Sequence, residues 1–204
     1  MNRLIIIGAS GHGRVVADIA KLNGYTDIVF LDDKENAMFC AGYSVIGKVA
    51  DVHTLSGDVF VAIGNGNIRR KIMETNEDRF FPTLVHPNAV VAEGVDIGKG
   101  TVIMAGVVIN SGSKIGRGVI LNTCSSVDHD CIVSDYVHIA VNAHLCGTIE
   151  VGKMSWIGAG ATVSNNINIC GGCTIGAGAV VVSNINEEGI YIGAPARRTT
   201  KSRG

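Results

Sequence analysis

Between residues 89 and 184, aliphatic side chains recur at every sixth position without a break. Each sixth residue from Val91 to Val181 is Val, Ile or Leu, sixteen in succession. A period of six fits neither a helix, with 3.6 residues per turn, nor a strand, whose side chains alternate. The period predicts a parallel β-helix in which three hexads close one triangular coil of about 18 residues.

The other positions of the hexad also have predicted roles. Small residues stand two places before the aliphatic one: Ala89, Ser113, Ser125, Ala143, Ser155, Ala161 and Ala179, with Cys131 and Cys173 in the same register. Glycine often follows directly: Gly98, Gly116, Gly152, Gly158 and Gly176. We expect the aliphatic residue inside, the small one beside it, and Gly or Asn in the turn, where β-branched residues fit poorly.

The first 84 residues follow a different pattern. Continuous apolar runs at Leu4–Ile7, Ile28–Leu31 and Val59–Ile63 predict three buried strands. Helical spacing predicts two helices, with these inward positions: Val15, Val16, Ile19 and Leu22 in the first, and Ile68 and Ile72, capped by Asn67, in the second. Residues 1–84 are therefore predicted to form a small α/β domain, a partial Rossmann fold. Residues 85–204 are predicted to form an all-β parallel β-helix with a C-terminal tail.

A glycine turn, Gly8-Ala-Ser-Gly-His-Gly13, opens the first predicted helix. Free backbone N–H groups and the helix dipole suit such a turn to phosphate, so Ser10, Gly11 and His12 are candidate ligand contacts. Asp32 lies about 20 residues further on, where a ribose-binding acid is expected. Three or four strands make half of a dinucleotide fold, which favours a single nucleotide over NAD.

One histidine in the β-helix carries the signature of a general base. His129 is flanked by Asp128 and Asp130 near a predicted turn, and a neighbouring carboxylate raises the basicity of imidazole. Gly147 lies 18 residues later, one coil above, where its N–H is placed to stabilise an oxyanion. His138, Ala159 and Ala177 are predicted to share another face. The pair His129 and Gly147 would meet this second set of residues only in a groove between two packed β-helices.

Composition removes several function classes. A net charge of −1 over 204 residues gives no sign of a nucleic-acid or anionic-membrane partner. The N-terminus enters a strand with no signal peptide, and no apolar run approaches the roughly 20 residues that span a bilayer. Six cysteines fit a reduced cytoplasmic protein. Cys170 and Cys173 form half of a zinc motif with no second pair, so we expect packing and no metal.

The whole pattern resembles the bacterial sugar acetyltransferases of the sialic-acid O-acetyltransferase group, and most closely the UDP-4-amino-sugar N-acetyltransferases. The motifs that carry the resemblance are Gly8-Ala-Ser-Gly-His-Gly13, Phe30-Leu-Asp-Asp33, Ala62-Ile-Gly-Asn65, Leu121-Asn-Thr123, Asp128-His-Asp130, His138-Ile-Ala140 and Gly193-Ala-Pro-Ala-Arg197. The resemblance implies a left-handed β-helix and a homotrimer, with acetyl-CoA bound between the β-helices of neighbouring subunits.

The resemblance also implies residue roles. His129 would be the base, Asp130 the acid that tunes it, and Asn122 a group near the sugar, while Gly147 would hold the thioester oxygen. The expected acetyl-CoA contacts are His138, Ala159, Ala177 and Arg197. The Arg197–Arg198 pair in the tail suits phosphate. The implied nucleotide-sugar contacts are Ser10, Gly11, His12, Asp32, Asp33 and Gly64.

These expectations converge on an acetyl-CoA-dependent N-acetyltransferase that acts on a nucleotide-linked 4-amino-sugar in glycan biosynthesis. O-acetylation of sialic acid or another sugar would use the same base. A non-catalytic nucleotide-binding or structural module and an NAD-dependent oxidoreductase are further alternatives. The sequence identifies neither the sugar nor the nucleotide base.

Overall fold

The N-terminal part of the chain is a parallel α/β domain. The computed structural model describes residues 2–35 and 38–199. The elements of this domain are β1 (Arg3–Ile7), α1 (Gly11–Leu22), β2 (Asp27–Leu31), β3 (Phe39–Cys40), β4 (Tyr43–Gly47), a 3-10 helix (Val49–Thr54), β5 (Asp58–Val61) and α2 (Gly66–Thr75). The strand order is β3-β4-β2-β1-β5, with only β3 antiparallel to its neighbour among the described pairings.

The three predicted strands are confirmed, whereas the predicted inner faces of the helices need correction. In α1, Val16 and Ile19 are buried, but Val15 is 39% exposed and Leu22 is 55% exposed. In α2 the buried residues are Arg69 and Met73, not Ile68. The reason is that this side of α2 packs against the C-terminal part of the chain. The prediction of Asn67 as the cap of α2 was wrong: the cap is Asn65, whose side chain accepts hydrogen bonds from the N–H groups of residues 67 and 68.

Residues 84–199 form a three-sided parallel β-helix, here called the prism. Face 1 contains Leu84–Val85, Val102–Ile103, Ile120–Leu121, His138–Ile139, Trp156–Ile157, Thr174–Ile175, Ile190–Ile192 and Arg197–Thr199. Face 2 contains Val90–Val91, Val108–Ile109, Ser126–Val127, His144–Leu145, Thr162–Val163 and Val180–Val181. Face 3 contains Asp96–Ile97, Lys114–Ile115, Ile132–Val133, Glu150–Val151 and Asn168–Ile169. Residues that pair between parallel strands of successive hexapeptide coils are 18 positions apart in the sequence, for example Ile120 and His138. This spacing confirms the predicted coil length.

The hexad roles hold inside the prism, apart from one correction about glycine. The periodic aliphatic residues from Ile103 to Val181 are buried, as are the small residues beside them, such as Ala143 and Ser155. The glycine after the aliphatic residue is required by a close approach between coils, because a Cβ at Gly116 would lie 2.6 Å from the backbone N of Asp135. Left-handed turn angles occur at another position, which also accepts non-glycine residues such as Cys124, Asp130 and Asn142.

The α/β domain is fixed onto the prism around face 1. The Asn23 side chain, at the end of α1, exchanges two hydrogen bonds of 2.8 and 3.0 Å with the backbone of Val85. Arg117, in the turn between faces 3 and 1, forms ion pairs of 3.4 Å with Glu74 and Glu77 of α2 and its C-terminal turn. None of the helices in the described ranges is long and apolar enough to cross a membrane.

Candidate active site

His129 lies in the turn between faces 2 and 3, directly after the strand Ser126–Val127. Asp128 shapes this turn, because its Oδ1 accepts hydrogen bonds from Asn110 Nδ2 at 2.7 Å and from the His129 backbone N–H at 2.8 Å. These bonds lower the pKa of Asp128. The anchored carboxylate holds the backbone of residue 129, while the His129 side chain stays 52% exposed.

Asp130 orients the imidazole of His129. Its Oδ2 lies 2.9 Å from His129 Nδ1. The backbone of Asp130 has a left-handed φ of 58° in this turn. The carboxylate favours a proton on Nδ1, which leaves Nε2 as the free acceptor of the neutral ring. The hydrogen bond to Asp130, followed by the nearby charges of Asp128 and Asp130, raises the pKa of His129. The pair therefore provides an exposed, oriented base.

Gly147 lies against this imidazole from the next coil. A Cβ atom at position 147 would be 2.5 Å from His129 Nε2, so only glycine leaves room for the ring. Within the described residues the Gly147 N–H donates to no acceptor, while its carbonyl accepts from Asn166 N at 3.0 Å. The predicted pairing of His129 with Gly147 is thus seen in the structure, with a backbone donor beside the base.

A second cluster lies between the α/β domain and face 1. His138 is only 6% exposed; its ring packs 4.2 Å from that of Trp156 and 6.4 Å from that of His12. Asn122 Nδ2 approaches His138 Nε2 at 3.2 Å. The structure therefore brings His12, Asn122 and His138 together with Gly64, which packs against His138 and Trp156.

Both histidines of this second cluster are neutral. Burial first, and the Arg69 charge second, lower the pKa of His12 to about 4 and that of His138 to about 3. His12 Nε2 and His138 Nδ1 are buried without a hydrogen-bond partner in the described structure. Buried imidazole nitrogens of this kind are free to pair with a ligand that carries a donor or acceptor.

The other residues predicted to contact the nucleotide-sugar lie at the carboxyl ends of the parallel strands of the α/β domain. Asp32 uses both oxygens, since Oδ2 accepts from Ala9 N at 2.6 Å and Oδ1 from Lys34 N at 2.8 Å. Asp33 uses Oδ1 to accept from Val49 N at 3.0 Å. Asp32 thus holds the glycine turn in place, and both acids line a cavity of about 180 Å³. Ser10 and Gly11 are exposed at the start of α1.

A larger cavity of about 500 Å³ lies between the start of α2 and the prism. Gly64 to Asn67 form one wall of this cavity, and Trp156 and Thr174 of face 1 lie opposite. This cavity adjoins the His12 and His138 cluster through Gly64 and Trp156. No motif in the sequence selects Trp156, because an aromatic residue on a strand is most often part of a core.

The candidate acetyl-CoA residues divide between two places. Ala159 and Ala177 lie exposed in the turns between faces 1 and 2, beside Gly160 and Gly178, which have open space around them. His138 does not share that surface, because it is buried on face 1. In the tail, Arg198 pairs with Glu187 at 2.7 Å, whereas Arg197 donates only to the carbonyl of Ala196 among its described neighbours.

A pair of cysteines lies in the turn between faces 3 and 1 of the prism. Cys170 and Cys173 are free thiols with Sγ atoms 3.2 Å apart. Across residues 2–35 and 38–199, no three His, Cys, Asp or Glu side chains converge as metal ligands would.

The chain combines three features: a hexapeptide prism, an exposed imidazole that is hydrogen-bonded to a carboxylate, and an α/β domain of the nucleotide-binding type. Together these features define a class of protein, the hexapeptide-repeat acyltransferases. Residues 3–75 match the family model described as PglD N-terminal domain. The chain is 31% identical over 177 residues to GDP-perosamine N-acetyltransferase of Escherichia coli O157:H7, covering 82% of this chain and 80% of that one. The chain belongs to this family of nucleotide-amino-sugar N-acetyltransferases.

Two further similarities agree with this assignment. UDP-N-acetylbacillosamine N-acetyltransferase of Bacillus subtilis is 35% identical over 112 residues, so this chain matches about half (51%) of that relative's length and 50% of its own. The acetyltransferase domain of PglB from Neisseria gonorrhoeae, solved with acetyl coenzyme A, superposes with a TM-score of 0.94 at 42% identity. That match covers 98% of this chain and 100% of the other.

Proposed function

We propose that this chain transfers the acetyl group of acetyl-CoA to the amine of a nucleotide-linked 4-amino-sugar, with His129 as general base. The observation that carries the proposal is the 2.9 Å pair between His129 Nδ1 and Asp130 Oδ2. It leaves Nε2 of the half-exposed ring as the proton acceptor, next to the unused N–H of Gly147. The family assignment supports an amine, rather than a hydroxyl, as the acceptor.

The reaction requires one base and one oxyanion donor. The amine nitrogen attacks the thioester carbonyl carbon while His129 Nε2 takes the proton that the nitrogen loses. A C–N bond forms, and the carbonyl oxygen becomes an oxyanion that accepts a hydrogen bond from the Gly147 N–H. As the C–S bond breaks, the proton on His129 passes to the departing thiolate. The products are the N-acetylated sugar and coenzyme A.

The two ligands occupy separate surfaces of the chain in this proposal. Ser10, Gly11, His12 and the free oxygen of Asp33 bind the nucleotide-sugar, while Asp32 keeps their turn in position and Gly64 borders the sugar. Ala159, Ala177 and the unpaired Arg197 line the acetyl-CoA path, with Arg197 suited to a phosphate.

We further propose a homotrimer with each active site between two subunits. In one chain the α/β domain sits at face 1, whereas His129 lies in the turn between faces 2 and 3. The width of the prism separates them, so the base of one chain must meet the sugar-binding domain of its neighbour. The six free cysteines support a reducing, cytoplasmic location, where nucleotide-sugars and acetyl-CoA are available.

The proposal is tested with purified protein, acetyl-CoA and a panel of UDP-, GDP- and dTDP-linked 4-amino-sugars. We expect release of coenzyme A thiol with at least one of them and formation of an amide on the sugar. Sialic acid serves as the hydroxyl acceptor for comparison. Absence of turnover with every amino-sugar, or faster turnover of sialic acid, would overturn the proposed acceptor.

A further inference from the structure

Arg69 of α2 is fully buried between the α/β domain and the prism. It is 1% exposed, and its guanidinium forms no ion pair with a carboxylate in the described structure. Burial lowers the pKa of Arg69 to about 10, so the side chain still carries its charge at neutral pH. A buried charge without a counter-ion is costly unless its donors are all satisfied.

Backbone carbonyl groups satisfy those donors, and they come from both parts of the chain. Nε donates to Gly118 O at 2.6 Å, and Nη2 donates to Tyr136 O at 2.8 Å, both in the prism. Nη1 donates to Ile63 O at 2.6 Å and to Gly64 O at 3.0 Å, in the loop that leads into α2. A longer contact of 3.4 Å joins Nη2 to Val137 O.

These hydrogen bonds converge on the walls of the proposed sugar site. Gly64 forms part of the wall of the 500 Å³ cavity and lies beside His138 and Trp156, and Ile63 lines the 180 Å³ cavity that Asp33 also borders. Val137 directly precedes His138. A planar group with five donors fixes several carbonyls at once, which neither a lysine nor an apolar side chain does.

We propose that Arg69 is a positioning residue for nucleotide-sugar binding: its guanidinium fixes the 63–64 loop against the prism and sets the geometry around His138. This inference deepens the proposed function and rests on it for its kinetic consequences. The same charge faces His12 and His138, so removing it changes their titration whether or not the substrate is known.

The test compares Arg69→Lys and Arg69→Gln with the same substitutions at Arg70, an exposed neighbour on the same helix. We expect both Arg69 variants to raise KM for the nucleotide-sugar about tenfold or more. KM for acetyl-CoA should not change, because the substitution disturbs only the nucleotide-sugar site. Arg69→Gln should also move the NMR titration of His12 and His138 upward in the free protein, while Arg69→Lys, which keeps the charge, should not.

The outcomes separate this inference from the proposed function. Folded Arg69 variants with wild-type KM values and unmoved histidine titrations would overturn the role of Arg69. If Arg69→Gln does not fold, Arg69→Lys carries the kinetic test alone, and a wild-type KM for the nucleotide-sugar in that variant overturns it. If the wild-type chain acetylates no amino-sugar, the proposed function fails, and the titrations alone decide whether Arg69 controls the two imidazoles.

Discussion

The imidazole of His129 packs directly on Gly147 of the next coil, with Nε2 2.5 Å from where a Cβ at position 147 would lie. Gly147→Ala should therefore push the ring away from its place beside the backbone donor. We expect kcat to fall about 10²-fold, the scale of a 1 Å misplacement in a catalytic group. Steady-state kinetics with the preferred amino-sugar measure this loss.

Asn165→Ala is the matched control for Gly147→Ala. Asn165 occupies the same turn position one coil further along and is exposed. We expect wild-type kcat in this variant. Equal losses in the two variants would show that the turn, and not the contact with His129, determines activity.

Removing the base should abolish most turnover and leave the fold intact. His129→Ala is expected to lower kcat about 10²- to 10⁴-fold, which is the usual contribution of a general base. Because the side chain is half exposed, the melting temperature and the oligomer should not change. Circular dichroism and analytical ultracentrifugation check this. A variant that keeps wild-type turnover would exclude His129 as the base.

Asp130 should control the pH at which the enzyme becomes active. The hydrogen bond that His129 donates to Asp130 raises the pKa of His129, and only neutral imidazole accepts a proton, so kcat/KM should rise with pH through that raised pKa. Asp130→Asn removes the carboxylate, lowers the pKa of His129 and should move the acidic limb to lower pH, with a smaller plateau. Rate profiles from pH 5 to 9 would show an unmoved limb if Asp130 has no such role.

The interior of the prism should behave as a close-packed core. Leu145 is 1% exposed beneath face 2, and Leu145→Ala should lower the free energy of unfolding by about 2–5 kcal/mol. Leu145→Met conserves volume and should cost less than about 1.5 kcal/mol. Urea denaturation of the two variants measures the difference. Similar losses in both would indicate that position 145 does not lie in a packed interior.

The prism could be predicted almost completely because its pattern is local and repeated. A period of six places every aliphatic residue from Ile103 to Val181 inside without any knowledge of distant contacts. The same periodicity aligned His129 with Gly147, since residues 18 apart must stack. The three buried strands of the α/β domain could be predicted because their apolar runs are also a local pattern.

Contacts between the two parts of the chain could not be predicted from the sequence. Helical spacing selects Ile68 of α2 as an inward residue, but docking onto the prism buries Arg69, whose partners come from residues 49 to 68 positions later as well as from its own loop. His12 and His138 lie 126 positions apart, and only the docking of the α/β domain on face 1 brings their rings to 6.4 Å. Asp32 has the position of a ribose-binding acid, yet its hydrogen bonds to Ala9 and Lys34 were not visible in any motif.

The central claim, that one chain supplies the base and its neighbour the sugar-binding domain, is tested most directly by mixing two inactive variants. His12→Ala impairs the sugar site and His129→Ala removes the base, so each homotrimer should be nearly inactive. After co-refolding in equal amounts, about a quarter of the sites in random trimers would pair an intact sugar site with an intact base. We predict recovery of about that fraction of wild-type turnover; a mixture that stays as inactive as its components would contradict a site shared between subunits.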